Sequence, residues 1–303
     1  MSDGFTAQDS TALEWSRREE YWWTMRTALG RWLYRSVGPA MEIASVEAQQ
    51  ALELARSPEP RLNAAEIEHL SAYLTEVFDR DIRRAFFDSR PLAQTFPGLL
   101  VPLIDAVIER DPRVASVMNI GAYYFFADHV LAMRHPTVRF QGVDLPDRLA
   151  EFNAEFLCDN LVAVSGYALD LIESGSLRAD VVAFSATAAE IKNNELQRYF
   201  EVVKPFARWI VLSEPLYSLP GGAIVDPDDL PIDQSLAIYA LPHYLPHRKG
   251  PLSRAHNYRA MLERAGYEVR HYHAFRPAFT DIRWVRVIAE NVTVTAARGA
   301  SPV

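Results

Sequence analysis

The chain has 303 residues, of which 49% are hydrophobic and 23% charged. This size accommodates a full α/β domain with a helical extension, or two small domains. The formal net charge of −8 argues against nucleic acid or an anionic membrane as the main partner. The single cysteine, Cys158, excludes an internal disulfide framework and a cysteine-built metal cluster. The sequence shows neither a signal segment nor an uncharged apolar run long enough to span a membrane, so we expect a cytoplasmic protein.

The N-terminal part of the chain, residues 1–110, is predicted to form a helical cap region. Helical patterns run over 12–56 and 63–87, and a third helix is predicted over 99–110. The first of these helices is rich in tryptophan and tyrosine. These aromatic residues either pack on the chain's own core or form a homodimer interface, and the second interpretation is slightly favoured.

Residues 111–303 alternate between predicted strands and helices, which is typical of a parallel sheet with crossover helices. The segment 217–251 is rich in proline, glycine and aspartate and interrupts this alternation, so it is interpreted as an inserted active-site loop or lid. The predicted strands are 114–120, 138–143, 161–165, 179–185, 208–213, 267–275 and 283–289. The predicted helices lie near 126–134, 146–157, 188–203 and 254–265.

The most informative stretch runs from Val114 to Asp144, VASVMNIGAYYFFADHVLAMRHPTVRFQGVD. An apolar strand ends in a glycine turn at Gly121, an apolar helix-compatible segment follows, and a second strand ends in an acid. In open parallel sheets, ligands bind outside the carboxyl ends of the strands, where an acid on the next strand accepts hydrogen bonds from ribose hydroxyls. The pattern therefore predicts a site for a nucleoside-containing cofactor, although Asp144 can also cap the following helix.

Several motifs together resemble the class I S-adenosylmethionine-dependent methyltransferases over roughly the last 190 residues. The matching segments, in chain order, are VMNIGAY, FQGVD, SGYALDL, DVVAFSATAAEI, KPFARWIVLSEP, AGYEVRHYHAF and WVRVIAEN. The resemblance implies an α/β fold with a doubly wound, mostly parallel seven-stranded sheet. In that fold strand seven is antiparallel and lies between strands five and six. The resemblance also implies a Rossmann-like methyltransferase domain over 111–303, with the helical N-terminal region as a cap over the substrate.

The resemblance assigns cofactor contacts to eight residues, although the glycine loop departs from the family pattern. Asn119 stands where the family has an acid, and its side-chain oxygen can accept from the methionine amino group or simply serve as a turn residue. Tyr123 and Phe125 occupy the next two glycine positions, and we expect at most one aromatic residue of this loop to touch the ligand. Tyr167 stands near the adenine. The implied cofactor-binding residues are Asn119, Gly121, Tyr123, Asp144, Leu145, Tyr167, Ala168 and Ser185.

A general base for removal of a hydroxyl proton is predicted among the histidines that lie near the suspected lid. His243 and His247 lie within it, and His256 follows it at the predicted start of a helix. The prolines at 242 and 246 forbid a regular helix there, so the two lid histidines are not expected to bind a metal. Glu190 is an alternative base, and Asn193 and Glu214 are further candidates for orienting a substrate.

Three functions compete. The first is S-adenosylmethionine-dependent methyl transfer to a small-molecule acceptor, and the absence of an acid-Pro-Pro-Tyr motif after the fourth strand tilts the prediction toward a hydroxyl oxygen. The second is a protein of this fold that has lost methyl transfer and acts as a cofactor-binding regulator or performs other chemistry, as the degenerate glycine loop suggests. The third is an NAD-type oxidoreductase, which is disfavoured because Tyr123 and Phe125 obstruct the approach of a pyrophosphate.

Overall fold

The fold is taken from a computed structural model of the chain. The described residues are 99–122, 125–145, 154–216, 236–238, 253–275 and 283–293. The predicted cap helices 12–56 and 63–87, and with them the expected dimer interface, lie outside the described residues. Within the described ranges no helix is long and apolar enough to span a bilayer.

The described helices and strands follow the alternating order expected from the sequence. The helices are α1 (Val101–Arg110), α2 (Phe126–Arg134), α3 (Ala168–Glu173), α4 (Asn193–Val203) and α5 (Tyr258–Arg264). The strands are β1 (Ser116–Ile120), β2 (Arg139–Asp144), β3 (Leu161–Ser165), β4 (Val181–Ser185), β5 (Trp209–Leu216), β6 (Leu236–Ile238), β7 (Ser253–Ala255), β8 (Glu268–Phe275) and β9 (Arg283–Glu290). Short 3₁₀ turns cover Ala154–Phe156 and Ala188–Glu190.

Seven strands form one sheet in the order β3-β2-β1-β4-β5-β9-β8. The ladders that join β3, β2, β1, β4 and β5 are parallel, whereas β8 and β9 pair antiparallel. The last described strand, β9, therefore lies between β5 and β8, as the family resemblance implied. This arrangement confirms the predicted fold class and places the carboxyl ends of β1 to β5 along one edge.

The inner parallel strands β1, β2, β4 and β5 are buried on both faces, which explains why they are nearly continuous apolar runs. One face packs against α1 and α2 in a cluster that includes Ile104, Phe140 and Trp209. On β4, the ring of Phe184 meets the rings of Tyr199 and Phe200 of α4 edge to face, at centroid distances of 5.7 and 6.2 Å. Helices on both faces of a mostly parallel sheet produce the doubly wound layering.

A buried polar network lies at the opposite edge, beside the amino ends of the strands. Arg208 is fully buried, and its Nη1 lies 3.1 Å from Oδ2 of Asp111, which also accepts a hydrogen bond from the Trp209 indole at 3.1 Å. Burial alone raises the pKa of Asp111, but hydrogen bonds from Arg113 and Trp209, together with the charge of Arg208, hold it below its ordinary value. This network stabilises the fold at a distance from the carboxyl edge.

The chain divides into two compact units. One contains the sheet and comprises residues 60–188, 194–215 and 259–303. The other comprises residues 1–59, 189–193 and 216–258, and its described part includes the antiparallel pair β6 and β7.

Three details differ from the sequence prediction. The helix predicted over 254–265 begins only at Tyr258, because residues 253–255 pair with 236–238 as a strand. The helix predicted over 188–203 begins with a 3₁₀ turn and becomes α-helical at Asn193. Helix α3 was not predicted, since six residues are too few for a helical period to stand out. In the first case, pairing with a segment distant in sequence outweighs local helix propensity.

Candidate active site

The carboxyl ends of the first three strands bring several predicted cofactor residues to one edge of the sheet. The parallel register pairs Ile120 with Val143, and Asp144 with Ser165. The backbone N–H of Gly121 donates to the Val143 carbonyl at 2.9 Å, so the glycine turn is tied to the end of β2. Asp144 is the last residue of β2 and is buried. The expectation that this acid lies at the carboxyl edge is therefore confirmed.

Gly121 is required by its backbone and by its neighbour Thr187. Its φ of +69° lies in the left-handed region that side chains rarely adopt. A Cβ atom there would also lie 2.0 Å from Oγ1 of Thr187, and that hydroxyl donates to the Gly121 carbonyl at 3.2 Å. The space beside the Cα of Gly121 is therefore taken by Thr187.

The turn after β4 is fixed by Glu214 of β5. This fully buried carboxylate accepts hydrogen bonds from the backbone N–H groups of Thr187 and Ala188, at 3.2 and 3.1 Å. Ala186, in the same turn, has a φ of 55°, a strained value for a residue with a side chain. Glu214 therefore anchors the strained turn that follows Ser185, the half-buried last residue of β4.

Asn119 has a buried side-chain oxygen that accepts no hydrogen bond from the described part of the chain. Its Nδ2 donates to Oδ2 of Asp128 at 2.9 Å, whereas its Oδ1 has no hydrogen-bond partner among the described residues. The two side chains are 3% and 1% exposed. Burial raises the pKa of Asp128 to about 7, against the lowering effect of hydrogen bonds from Asn119 and from its own backbone. Asp128 was missed by the sequence reasoning, although an acid in the first turn of an apolar helix was a visible signal.

The aromatic side chain at the third glycine position of the loop is accommodated inside the core. Phe125 is fully buried and belongs to the cluster beneath α1 and α2. A Cβ atom on Gly142 of β2 would lie 2.7 Å from the Phe125 ring, so a glycine on the neighbouring strand provides the room for that ring. Tyr123 lies outside the described residues.

The remaining predicted cofactor residues lie where β2 and β3 end. Oδ1 of Asp144 accepts a hydrogen bond from the backbone N–H of Leu145 at 2.8 Å, and Leu145 is half-buried. Tyr167 is the N-cap residue of α3 and is half-buried, and Ala168 begins that helix and is buried. The start of the helix that Asp144 was expected to cap lies outside the described residues.

The described part of the other unit contains His256, Asn193 and Glu190. His256 is fully buried, and its Nδ1 lies 3.1 Å from Oδ1 of Asn193. Its ring lies 5.6 Å from the ring of Tyr258, measured between centroids. Glu190 ends the 3₁₀ turn after β4 and is half-buried. His243 and His247 lie outside the described residues. The sequence named both His256 and Asn193, but only the structure pairs them.

Because an amide oxygen can only accept, Nδ1 of His256 carries the proton in this pair. The basic lone pair of the imidazole is then on Nε2.

Among the described residues, no three His, Cys, Asp or Glu side chains are grouped so that they could hold a metal ion.

Comparisons with known proteins give structural matches only. No family model matches the sequence, and no curated protein matches it. The crystal structure of the N-terminal domain of EvdMO1 with SAH bound is 19% identical, with a TM-score of 0.44, and the match covers 63% of this chain and 80% of that one. The structure of the mitomycin 7-O-methyltransferase MmcR is 15% identical, with a TM-score of 0.40, and the match covers 58% of this chain and 49% of that one.

A third similar structure is the Burkholderia thailandensis 1,6-didemethyltoxoflavin-N1-methyltransferase with bound 1,6-didemethyltoxoflavin and S-adenosylhomocysteine. It is 12% identical, with a TM-score of 0.48, and the match covers 77% of this chain and 93% of that one. The strand order of the sheet, with the last strand inserted between β5 and β8, is itself the class I methyltransferase arrangement that the resemblance implied.

Proposed function

We propose that this protein binds S-adenosylmethionine and transfers its methyl group to a hydroxyl oxygen of a small molecule. The observation that carries this proposal is the pairing of two acceptors at the carboxyl edge of the sheet. Asn119 offers a buried oxygen with no partner among the described residues, and Asp144 offers a carboxylate one strand away. An amino-acid ammonium and a ribose diol, which this cofactor carries, are donors that fit these two acceptors.

Asn119 would accept from the ammonium group and Asp144 from the ribose hydroxyls. A carboxylate offers about four acceptor positions, and the hydrogen bond from the Leu145 N–H occupies one of those of Asp144. Tyr167, at the end of β3, would lie on the adenine side, beside Ala168. The positions of Leu145 and Ser185, at the ends of β2 and β4, are consistent with further contacts to the same ligand.

S-adenosylmethionine, when bound, supplies an electrophilic methyl group that an acceptor oxygen displaces from the sulfonium sulfur. The chain must orient the acceptor and take its hydroxyl proton. His256 suits the second task, since its Nδ1–H is held by Asn193 and its Nε2 carries the lone pair. The Asn193 oxygen would also stabilise the imidazolium that forms. His243, His247 and Glu190 remain alternative bases.

Calorimetric titration of the untreated protein with S-adenosylmethionine and S-adenosylhomocysteine tests the cofactor proposal. We expect Asp144→Ala to weaken binding by about 1.5–3 kcal/mol, the usual loss when hydrogen bonds to a charged group are removed. The matched control is Asp159→Ala, which removes an exposed aspartate from the turn before β3 and should leave the affinity unchanged. Equal affinities for wild type and Asp144→Ala would refute the ribose role.

Turnover with a panel of phenol and alcohol acceptors, followed by release of S-adenosylhomocysteine, tests the proposed base. His256→Ala should lower turnover by roughly 10²–10⁴-fold while the cofactor affinity is retained. His273→Ala, which removes an exposed histidine of β8, is the control. Full turnover of His256→Ala would shift the role to His243, His247 or Glu190. A protein that binds the cofactor but methylates no acceptor would favour the second function, a cofactor-binding protein without methyl transfer.

A further inference from the structure

We propose that Asp128 is the positioning residue for the ammonium group of the ligand, holding the Asn119 amide in one orientation and supplying the negative charge behind it. This inference rests on the proposed function, because the ammonium belongs to the amino-acid part of the cofactor. It assigns a ligand-binding role to a helix residue that does not itself touch the ligand. The sequence analysis had given that role to Asn119 alone.

The orientation of the amide follows from the chemistry of the pair. Above the pKa of about 7, the carboxylate of Asp128 is ionised and only accepts hydrogen bonds, so it can face only the NH₂ group of Asn119. The distance from Nδ2 of Asn119 to Oδ2 of Asp128 is 2.9 Å. The amide oxygen must then point away from Asp128. That oxygen is buried and has no hydrogen-bond partner within the described residues. Without Asp128 the amide could turn over and present its donor side to the ligand, which would repel an ammonium group.

Within the described part of the chain, the carboxylate of Asp128 behind the amide also has no counter-ion. No Lys, Arg or His lies within ion-pair distance of Asp128 among the described residues, and its side chain is 1% exposed. It lies in the first turn of α2, where the helix dipole favours an anion but does not neutralise it. A buried carboxylate of this kind attracts a cation strongly, since charges interact more strongly in a low-dielectric interior. An ammonium bound to Asn119 Oδ1 would supply the missing positive charge through the polarised amide.

The location agrees with a ligand site. Asn119 lies on β1 two residues before Gly121 and pairs in register with Gly142 of β2. Asp144, which accepts hydrogen bonds at the end of β2, is two residues farther along that strand. The pair of Asn119 and Asp128 is therefore at the carboxyl edge of the sheet, where open α/β sheets bind their ligands.

The affinities for two ligands, one with the ammonium group and one without it, distinguish this positioning role of Asp128 from a purely structural one. S-adenosylhomocysteine carries the ammonium group, whereas 5′-methylthioadenosine keeps the adenosine and the thioether but has no amino-acid part. Their affinities are measured by calorimetry for wild type, Asp128→Asn, Asp128→Leu and the double variant Asn119→Asp with Asp128→Asn. Asp111→Asn serves as the control, because it removes a buried carboxylate at the opposite edge of the sheet.

For Asp128→Asn, which keeps the shape and the hydrogen bond, we expect roughly tenfold weaker binding of S-adenosylhomocysteine and unchanged binding of 5′-methylthioadenosine. Asp128→Leu should weaken the binding of S-adenosylhomocysteine further, because the Asn119 amide is then free to turn. The double variant returns a carboxylate to the strand end and should restore binding to within about threefold of wild type. Asp111→Asn should lower stability without changing the ratio of the two affinities.

Two results would overturn the proposal while the proposed function stands. One is that Asp128→Asn weakens the binding of both ligands equally, which is expected of a structural role. The other is that Asp128→Asn changes the affinity for neither ligand. If the wild-type protein binds neither ligand, both the proposed function and the role of Asp128 are wrong. Circular dichroism of each variant verifies that the fold is retained, and the double variant decides the outcome if Asp128→Leu fails to fold.

Discussion

The buried carboxylate of Asp128 makes a specific prediction about how the stability of the ligand-free protein depends on pH. Burial raises its pKa from 3.8 to about 7. The folded state therefore binds a proton more tightly than the unfolded state between these two values. The contribution of Asp128 to stability is fully present below pH 3.8 and is lost as the pH rises through about 7. A shift of about three pH units, at 1.36 kcal/mol per unit, amounts to at most about 4 kcal/mol.

Asp128→Asn removes this titration without changing the shape of the side chain. Compared with wild type, the variant should gain up to about 4 kcal/mol of unfolding free energy between pH 4 and pH 8, with most of the gain between pH 4 and pH 7. Urea denaturation at half-unit pH steps measures this difference, provided that the m-values of the two proteins agree. All other titrating groups are common to both proteins, so they cancel in the comparison.

The control for this experiment is Asp159→Asn, which replaces an exposed aspartate in the turn before β3. A difference between wild type and Asp128→Asn that stays constant within about 0.5 kcal/mol from pH 4 to pH 8 would refute the reasoning, since the carboxyl would then titrate alike in both states. If Asp128→Asn is more stable than wild type above pH 7, the wild-type protein carries a destabilising charge at its candidate ligand site.

Two further predictions concern stability away from Asp128. Gly121→Ala should lower the Tm more than Gly175→Ala. Both residues have a positive φ, which costs an alanine about 1–2 kcal/mol, but only at Gly121 would the new Cβ lie 2.0 Å from Thr187. Equal losses of Tm in the two variants would contradict the assigned packing. Asp111→Asn should lower the free energy of unfolding by about 3 kcal/mol, because it breaks the ion pair with the fully buried Arg208. Asp105→Asn, which breaks a partly exposed ion pair, should lower it by less than about 1 kcal/mol. Urea denaturation measures both differences. Because the pKa of Asp111 is held low, this contribution should be fully present above pH 3.8 and lost as the pH falls further; a contribution that disappears at higher pH would contradict this reading.

The sequence by itself determined the strands of the sheet, and the family resemblance implied their order. Parallel strands buried on both faces are short apolar runs, and such runs are visible without any knowledge of their neighbours. The five parallel strands and the terminal hairpin were all predicted, with most ends within two residues of those found. The position of Asp144 at the carboxyl edge followed as well, because a residue at the end of a parallel strand must lie there.

Only the tertiary structure decided which polar side chains meet. Asn119 and Asp128 are separated by a loop and come together only when α2 packs beside β1, and His256 reaches Asn193 across 63 residues of sequence. Such pairs have no local period or propensity, since their energy comes from burial and hydrogen bonding between distant segments. The same holds for Phe125, whose bulk at a glycine position is tolerated because Gly142 on the next strand leaves room for the ring.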